Sequence, residues 1–187
     1  MDLIILGAPG SGKGTQGALL STRLGIPKIS TGDLLRAAAR DGTPLGVKAK
    51  QFMDKGLLVP DEIILGLIGE VLNSPEAAQG VIMDGFPRTL PQAAAVDELL
   101  TPLERRVDRV LLIDVAEEAL IDRMVKRAEI EGRADDTPAT IRRRQEVYRE
   151  QTAPLIAFYE GRGIVTRVDG LGTIEEIAKR MQAAAAP

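Results

Sequence analysis

The sequence predicts a three-layer α/β/α fold around a five-stranded parallel sheet, and three observations carry the prediction. Short aliphatic runs alternate with longer segments of helical periodicity, the pattern of βαβ units packed on a parallel sheet. The run Val110-Leu111-Leu112-Ile113 shows no polar alternation, as a strand covered on both faces should read. The first aliphatic run, Leu3-Ile4-Ile5-Leu6, feeds a glycine-rich turn, Gly7-Ala8-Pro9-Gly10-Ser11-Gly12-Lys13-Gly14-Thr15, and a helical pattern follows it at Lys13–Leu24.

In order along the chain, strands are expected at residues 3–6, 28–30, 80–84, 109–115 and 164–168. Two insertions interrupt the alternation. Over residues 31 to about 60, Thr31-Gly32-Asp33-Leu34-Leu35-Arg36 opens one helix, and Thr43-Pro44 opens another that Gly56 ends. Residues 129–136 are charged and carry Gly132, between a helix ending near Arg127 and one starting at Thr137-Pro138, and read as a short flap over a cleft. The alanine-rich tail, 183–187, is expected to fray. Parallel sheets bind ligands beyond the carboxyl ends of their strands, where the glycine loop, Ser30-Thr31, Asp84 and Asp114 all fall.

Composition narrows the chemistry. At 187 residues the chain fits one domain with a core of its own. It has no cysteine, which removes disulfides, thiolate metal sites and a thiol nucleophile. It has no histidine either, so any catalysis falls to Lys, Arg, carboxylates, hydroxyls and backbone dipoles. A net charge of −3, no Trp, two Tyr and three Phe argue against a nucleic-acid partner. No apolar run approaches a membrane span and the N-terminus lacks a basic leader, so a soluble, cytoplasmic protein without membrane partners is expected.

The spacing G-x-x-x-x-G-K turns consecutive backbone N–H groups toward one anion, with Lys13 adding a charge near terminal phosphates and the following helix its dipole. In the strict phosphate loop Ser or Thr follows the lysine. Here Gly14 does, and Thr15 is rotated by about 100° from that position, which puts direct coordination of a metal by the chain in doubt.

Asp84 ends a strand beside the loop's strand, where a magnesium-positioning carboxylate would sit; it would equally serve to cap the next turn. Asp33 is a second candidate, balanced against a plain dipole-favoured acid in a first helical turn. Among 17 arginines, Arg88 leaves a strand end through the rigid Pro87. Arg123 and Arg127 share a helix face, although a last-turn cation such as Arg127 also suits the dipole alone. In Arg142-Arg143-Arg144 only one side chain can face inward. Ile141, Tyr148, Thr152 and Leu155 form one stripe, Arg144 lies at its edge, and its partner is either a carboxylate of the protein or an anionic ligand.

With these residues in view the chain resembles the adenylate kinase family, the P-loop nucleoside monophosphate kinases, over essentially its whole length. The matching pieces are the loop through Gln16, Ser30-Thr31-Gly32-Asp33-Leu34-Leu35-Arg36, Asp84-Gly85-Phe86-Pro87-Arg88 and Gly132-Arg133-Ala134-Asp135-Asp136, in the family's order and spacing. The offset Gly14-Thr15 is this family's own form. The resemblance implies a single domain over 1–187, with an acceptor-binding insertion at 30–59 and a short lid at 126–136. It further implies reversible transfer of a phosphoryl group from MgATP to AMP, giving two ADP, and a role in adenine nucleotide balance.

By the same resemblance Gly10, Ser11, Gly12, Lys13, Gly14 and Thr15 would hold ATP, with Arg123, Arg127 and Gly172 beside it. AMP would be gripped by Thr31, Arg36, Leu57, Leu58, Val59, Gly85, Phe86, Pro87, Arg88 and Gln92, with Arg133 and Arg144. Lys13, Arg88, Arg127, Arg133 and Arg144 would be the catalytic cations, and Mg2+ would be held by ATP and by waters arranged by Asp84 and Asp33. Five permanent charges and no base suit a loose phosphoryl-transfer transition state, whose charge lies on peripheral oxygens. Long-lid relatives carry an extra hairpin, often with four cysteines on zinc. This chain has neither, so the short form, no structural zinc and a monomer are expected.

Two other readings remain. A UMP/CMP kinase of the same fold tends to have Ala where Thr31 stands and Asn where Gln92 stands, so both positions favour adenine here. A catalytically silent nucleotide-binding protein is the other; the N-K-x-D tetrad of guanine-reading switches is missing from the sequence.

Overall fold

The computed structural model describes residues 1–116, 119–124 and 137–186. Strands β1 (Asp2–Leu6), β2 (Lys28–Ser30), β3 (Val81–Asp84), β4 (Val107–Asp114) and β5 (Val165–Asp169) form one sheet in the order β2-β3-β1-β4-β5. All four pairings are parallel. From the central β1 the chain passes to the edge strand β2, returns to β3 beside β1, and then crosses to β4 and β5 on the other side; the crevice at that reversal is where such a sheet takes its ligand. Register brings Ile5 and Ser30 level with Asp84, so three strand ends open on one spot.

Alternate residues of β1, β3 and β4 feed two cores, which is why their central runs carry no polar alternation. Ile4, Leu6, Val81, Met83, Val110 and Leu112 pack on one face with Ile68, Val96, Leu100 and Leu155. Those partners come from α4 (Asp61–Leu72), α5 (Leu90–Leu100) and α7 (Pro154–Glu160). Leu3, Ile5, Ile82, Leu111 and Ile113 pack on the other face with Leu20, Ile177 and Met181. These belong to α1 (Lys13–Leu24) and α8 (Ile174–Ala185). The three-layer α/β/α architecture and its five parallel strands are those expected, with strand ends displaced by one or two residues.

The first insertion folds as α2 (Thr31–Arg40) and α3 (Pro44–Met53). Each helix begins with a hydroxyl cap: Ser30 Oγ accepts from the Asp33 N–H at 3.3 Å, and Thr43 Oγ1 from the Gly46 N–H at 3.1 Å. Thr137 caps α6 (Pro138–Val147) in the same way. A π-helical turn, Tyr148–Thr152, then joins α6 to α7. The expected lid, 126–136, with Arg127 and Arg133, lies outside the described residues.

One expectation fails at the C-terminus. The alanine tail does not fray through 183–185: α8 runs to Ala185, which is buried with Met181 and Ile177 against the sheet. Small side chains there let the helix lie close to its neighbours, and apolar burial outweighs terminal fraying.

Candidate nucleotide site

The turn after β1 is shaped by contacts that exclude side chains. A Cβ on Gly7 would lie 2.6 Å from Ser11 Oγ and 2.8 Å from the Ile113 carbonyl oxygen, and one on Gly10 would lie 2.7 Å from the Leu120 carbonyl oxygen. Both glycines also have positive φ, at 149° and 88°. The Ser11 N–H donates to the Ala8 carbonyl at 3.1 Å and closes the loop. The Ser11 side chain is buried under the loop, its hydroxyl unpartnered among the described residues, so this residue offers its backbone to the cleft. No side chain caps α1 and no acid stands in its first turn, which leaves its N-terminal dipole available to an anion. Lys13 Nζ donates to the Gly7 and Ala8 carbonyls at 2.7 and 3.0 Å and so arches back over the loop. Gly14 and Thr15 lie at its exit, both exposed.

Facing the loop across a cleft of about 840 Å³ is the turn after β3. Thr31 Oγ1 and Arg88 Nε both donate to the Gly85 carbonyl, at 3.0 and 2.7 Å. Gln92 is buried and bonded at both ends of its amide: its Oε1 accepts from the Arg88 N–H at 2.7 Å, and its Nε2 donates to Asp61 Oδ1 at 2.6 Å. Phe86 packs into the core on the β3 side and Pro87 is buried beside it, joined by a cis peptide bond. Leu57, Leu58 and Val59 line the cleft, Val59 buried and the two leucines half-buried.

Four arginines that are far apart in sequence line this one cleft: Arg36, Arg88, Arg123 and Arg144. Burial pushes the Arg88 guanidinium below the ordinary arginine range; Arg144 and Arg36 push the same way, and Asp84 opposes them. Three cations within electrostatic reach of one another on one cleft wall raise the local positive potential and favour an anionic ligand there. Arg36 pairs with Asp33 at 2.5 Å. Arg123 donates to the Gly170 carbonyl at 3.0 Å, which places it beside Gly172 at the far end of the cleft. Arg142 and Arg143 face water while Arg144 is half-buried, the orientation expected from the Ile141 stripe.

Asp84 is 7% exposed, and its Oδ2 lies 3.6 Å from where a Cβ on Gly14 would be, at the mouth of the loop. Among the described residues no three His, Cys, Asp or Glu side chains converge as a metal cage.

Two residues of the site went unread in the sequence. Lys28 sends Nζ to within 3.6 Å of Asp84 and 3.8 Å of Asp33; its two-residue offset from Ser30 on the same strand face was a usable signal. Gln145, buried next to Arg144, donates to the Pro9 carbonyl at 3.0 Å and so ties α6 to the loop. Nothing in its local sequence announces that contact across the fold.

Fold and site together define a P-loop nucleotide-binding protein with a cationic cleft. The adenylate kinase family model matches residues 5–164. The chain is 53% identical over 182 residues to the adenylate kinase of Thermus thermophilus, covering 97% of this chain and 95% of that one. It is 51% identical over 181 residues to the adenylate kinase of Xanthomonas campestris pv. campestris, 97% of each chain. With the adenylate kinase of Stenotrophomonas maltophilia it shares 50% over 184 residues, 98% of each. The chain belongs to the adenylate kinase family.

Proposed function

We propose that the chain catalyses reversible phosphoryl transfer from MgATP to AMP, giving two ADP. The observation that carries this reading is the cleft itself: a phosphate loop on one side, the Thr31–Gly85–Arg88 turn on the other, and Arg36, Arg88 and Arg144 gathered between them. ATP lies along residues 10–15 with its base toward Arg123 and Gly172; AMP lies in the pocket of Thr31, Arg36, residues 57–59, residues 85–88 and Gln92. An oxygen of the AMP phosphate bonds to the terminal phosphorus of ATP as the bridging bond to the leaving ADP breaks. The loose transition state places charge on peripheral oxygens, which Lys13, Arg88 and Arg144 stabilise. By the family resemblance Arg127 and Arg133 would add two further cations. No proton need be taken by a strong base, which suits a chain with no histidine.

The donor set fits magnesium bound to ATP. Asp84 and Asp33 are hard oxygen donors at the loop mouth, too few for a protein cage and suited to hydrogen-bonding waters of an ion that keeps several of them. When bound, Mg2+ neutralises charge on the transferring phosphates.

Both halves of the site come from one chain, which supports action as a monomer. No helix among the described residues is long and apolar enough to cross a membrane; with the cysteine-free composition this supports a cytoplasmic enzyme. The deciding experiment is an assay of ATP with AMP, CMP and UMP. AMP is the preferred acceptor on this reading; preference for CMP or UMP would overturn it, and tight ATP binding without ADP formation would make the chain a silent binder.

A further inference from the structure

Lys28 is held where a mobile surface lysine would not be. Its stem passes between β2 and α1 in space that exists because residue 17 has no side chain: a Cβ on Gly17 would lie 2.9 Å from Lys28 Cδ and 3.1 Å from Ile5 Cδ1. Glycine inside a helix is unfavourable, and the passage of this stem gives it a reason. The stem delivers Nζ to three oxygens on three elements: the Gly14 carbonyl in α1 at 3.3 Å, Asp84 Oδ2 on β3 at 3.6 Å and Asp33 Oδ2 on α2 at 3.8 Å. The Lys28 side chain is 17% exposed and that of Asp84 is 9%. An ammonium has three donors and no acceptor, so this oxygen set suits it.

Among the described residues Nζ faces those two acids, while Arg36 pairs with Asp33 from the other side and Arg88 lies within electrostatic reach of Asp84. Resting on the reading that Asp33 and Asp84 face the waters of the nucleotide's magnesium, we propose that Lys28 is a positioning residue, the resident counter-cation of these metal-facing carboxylates. It holds Asp33 and Asp84 in register in the free protein. It also repels a free divalent cation, so that the metal enters only as its nucleotide complex, with its charge already offset by phosphates. Lysine fits this role as a compact point charge on a long stem.

The test is thermal unfolding of the nucleotide-free protein with magnesium chloride alone, against potassium chloride at equal ionic strength. The wild-type Tm should move by less than about 1 °C on adding roughly 10 mM magnesium chloride. Lys28→Met should start lower and rise by about 2–4 °C with magnesium, because the two carboxylates then lose the one cation that bridges them, Arg36 and Arg88 each reaching only one of the pair, and the ion takes its place. Lys28→Arg, which keeps the charge, should be as indifferent as wild type. Lys28→Gln replaces the Met variant if that does not fold. A purely structural lysine would lower Tm without creating a magnesium response, and that result overturns the proposal, as would a wild-type Tm that rises as much as the variant's. The measurement uses no nucleotide, so its outcome stands apart from the kinase assay: failure of wild type to form ADP from ATP and AMP would instead remove the reading on which the proposal rests.

Discussion

The side chain of Gln92 accepts the backbone N–H of Arg88 at 2.7 Å, so one residue on α5 fixes the main chain that carries the central arginine of the cleft. The other end of the same amide is held by Asp61 at 2.6 Å, which fixes its orientation. Replacing Gln92 by Leu keeps the volume and removes both bonds. The expected cost in stability is about 1–2 kcal/mol. Steady-state kinetics should show KM for AMP raised and kcat lowered together, since both the acceptor pocket and Arg88 lose a fixed point. A variant with normal kinetics would mean that Pro87 and the Gly85 carbonyl position Arg88 without help.

Arg88 should be the most costly single replacement in the described site. Its Nε bond to the Gly85 carbonyl, 2.7 Å, aims the rest of the guanidinium into the cleft. Arg88→Ala is expected to lower kcat by roughly 10³-fold or more, the scale of a lost transition-state arginine, with the far-UV spectrum unchanged. Arg88→Lys should recover little of this, because an ammonium cannot bond Gly85 and reach a phosphate as a planar fork does. Near-normal turnover in a folded Arg88→Ala protein would take Arg88 out of the mechanism.

These two residues also mark what could be read from the sequence. Arg88 was legible because a strand end and a proline fix its direction locally, and the loop at Gly7–Thr15 because spacing alone defines it. Arg144 was legible from a helical stripe, although the π-helical turn at Tyr148–Thr152 shifts the phase of the helix beyond it. The engagement of Gln92 by Asp61, 31 residues away, was not legible, nor was the bond from Gln145 to Pro9, 136 residues away. Such contacts depend on how layers stack, which no local periodicity encodes. Ala183–Ala185 looked like a loose tail for the same reason: only the packing of α8 on the sheet shows that Ala185 is buried.

Asp2 and Arg105 supply a prediction about stability alone, at the pole of the sheet opposite the cleft. Asp2 is 2% exposed; its Oδ1 accepts from the Val81 N–H at 3.1 Å, and both of its oxygens accept from Arg105, which also donates to the Leu72 carbonyl. One carboxylate thereby joins β1, β3 and the turn before β4. Asp2→Ala leaves a half-buried guanidinium without its partner and should cost about 3–5 kcal/mol in urea unfolding. Its kcat and KM at a temperature where it stays folded should equal the wild-type values. A loss under about 1 kcal/mol would show that water replaces the carboxylate at this pole.

The start of α8 should weaken in acid. Thr173 and Glu176 form a reciprocal capping box, in which the Glu176 carboxylate accepts from the Thr173 N–H at 2.8 Å and Thr173 Oγ1 accepts from the Glu176 N–H at 3.2 Å. The backbone bond from Thr173, then its hydroxyl, hold the Glu176 carboxyl below its ordinary value of 4.5, outweighing burial, with smaller help from Arg180 and Lys179. A carboxylate whose folded pKa is depressed contributes stability that is fully present above the unfolded value and is lost as pH falls through the folded one. The contribution of Glu176 is therefore complete above pH 4.5 and disappears below it. Glu176→Gln keeps an acceptor for the Thr173 N–H but cannot titrate. Amide hydrogen exchange in the first turn of α8 should accelerate below pH 4.5 in wild type, relative to intrinsic rates, and stay flat in the variant. Equal pH dependence in the two proteins would show that this end of α8 is held by packing of Ile177 and Met181 alone.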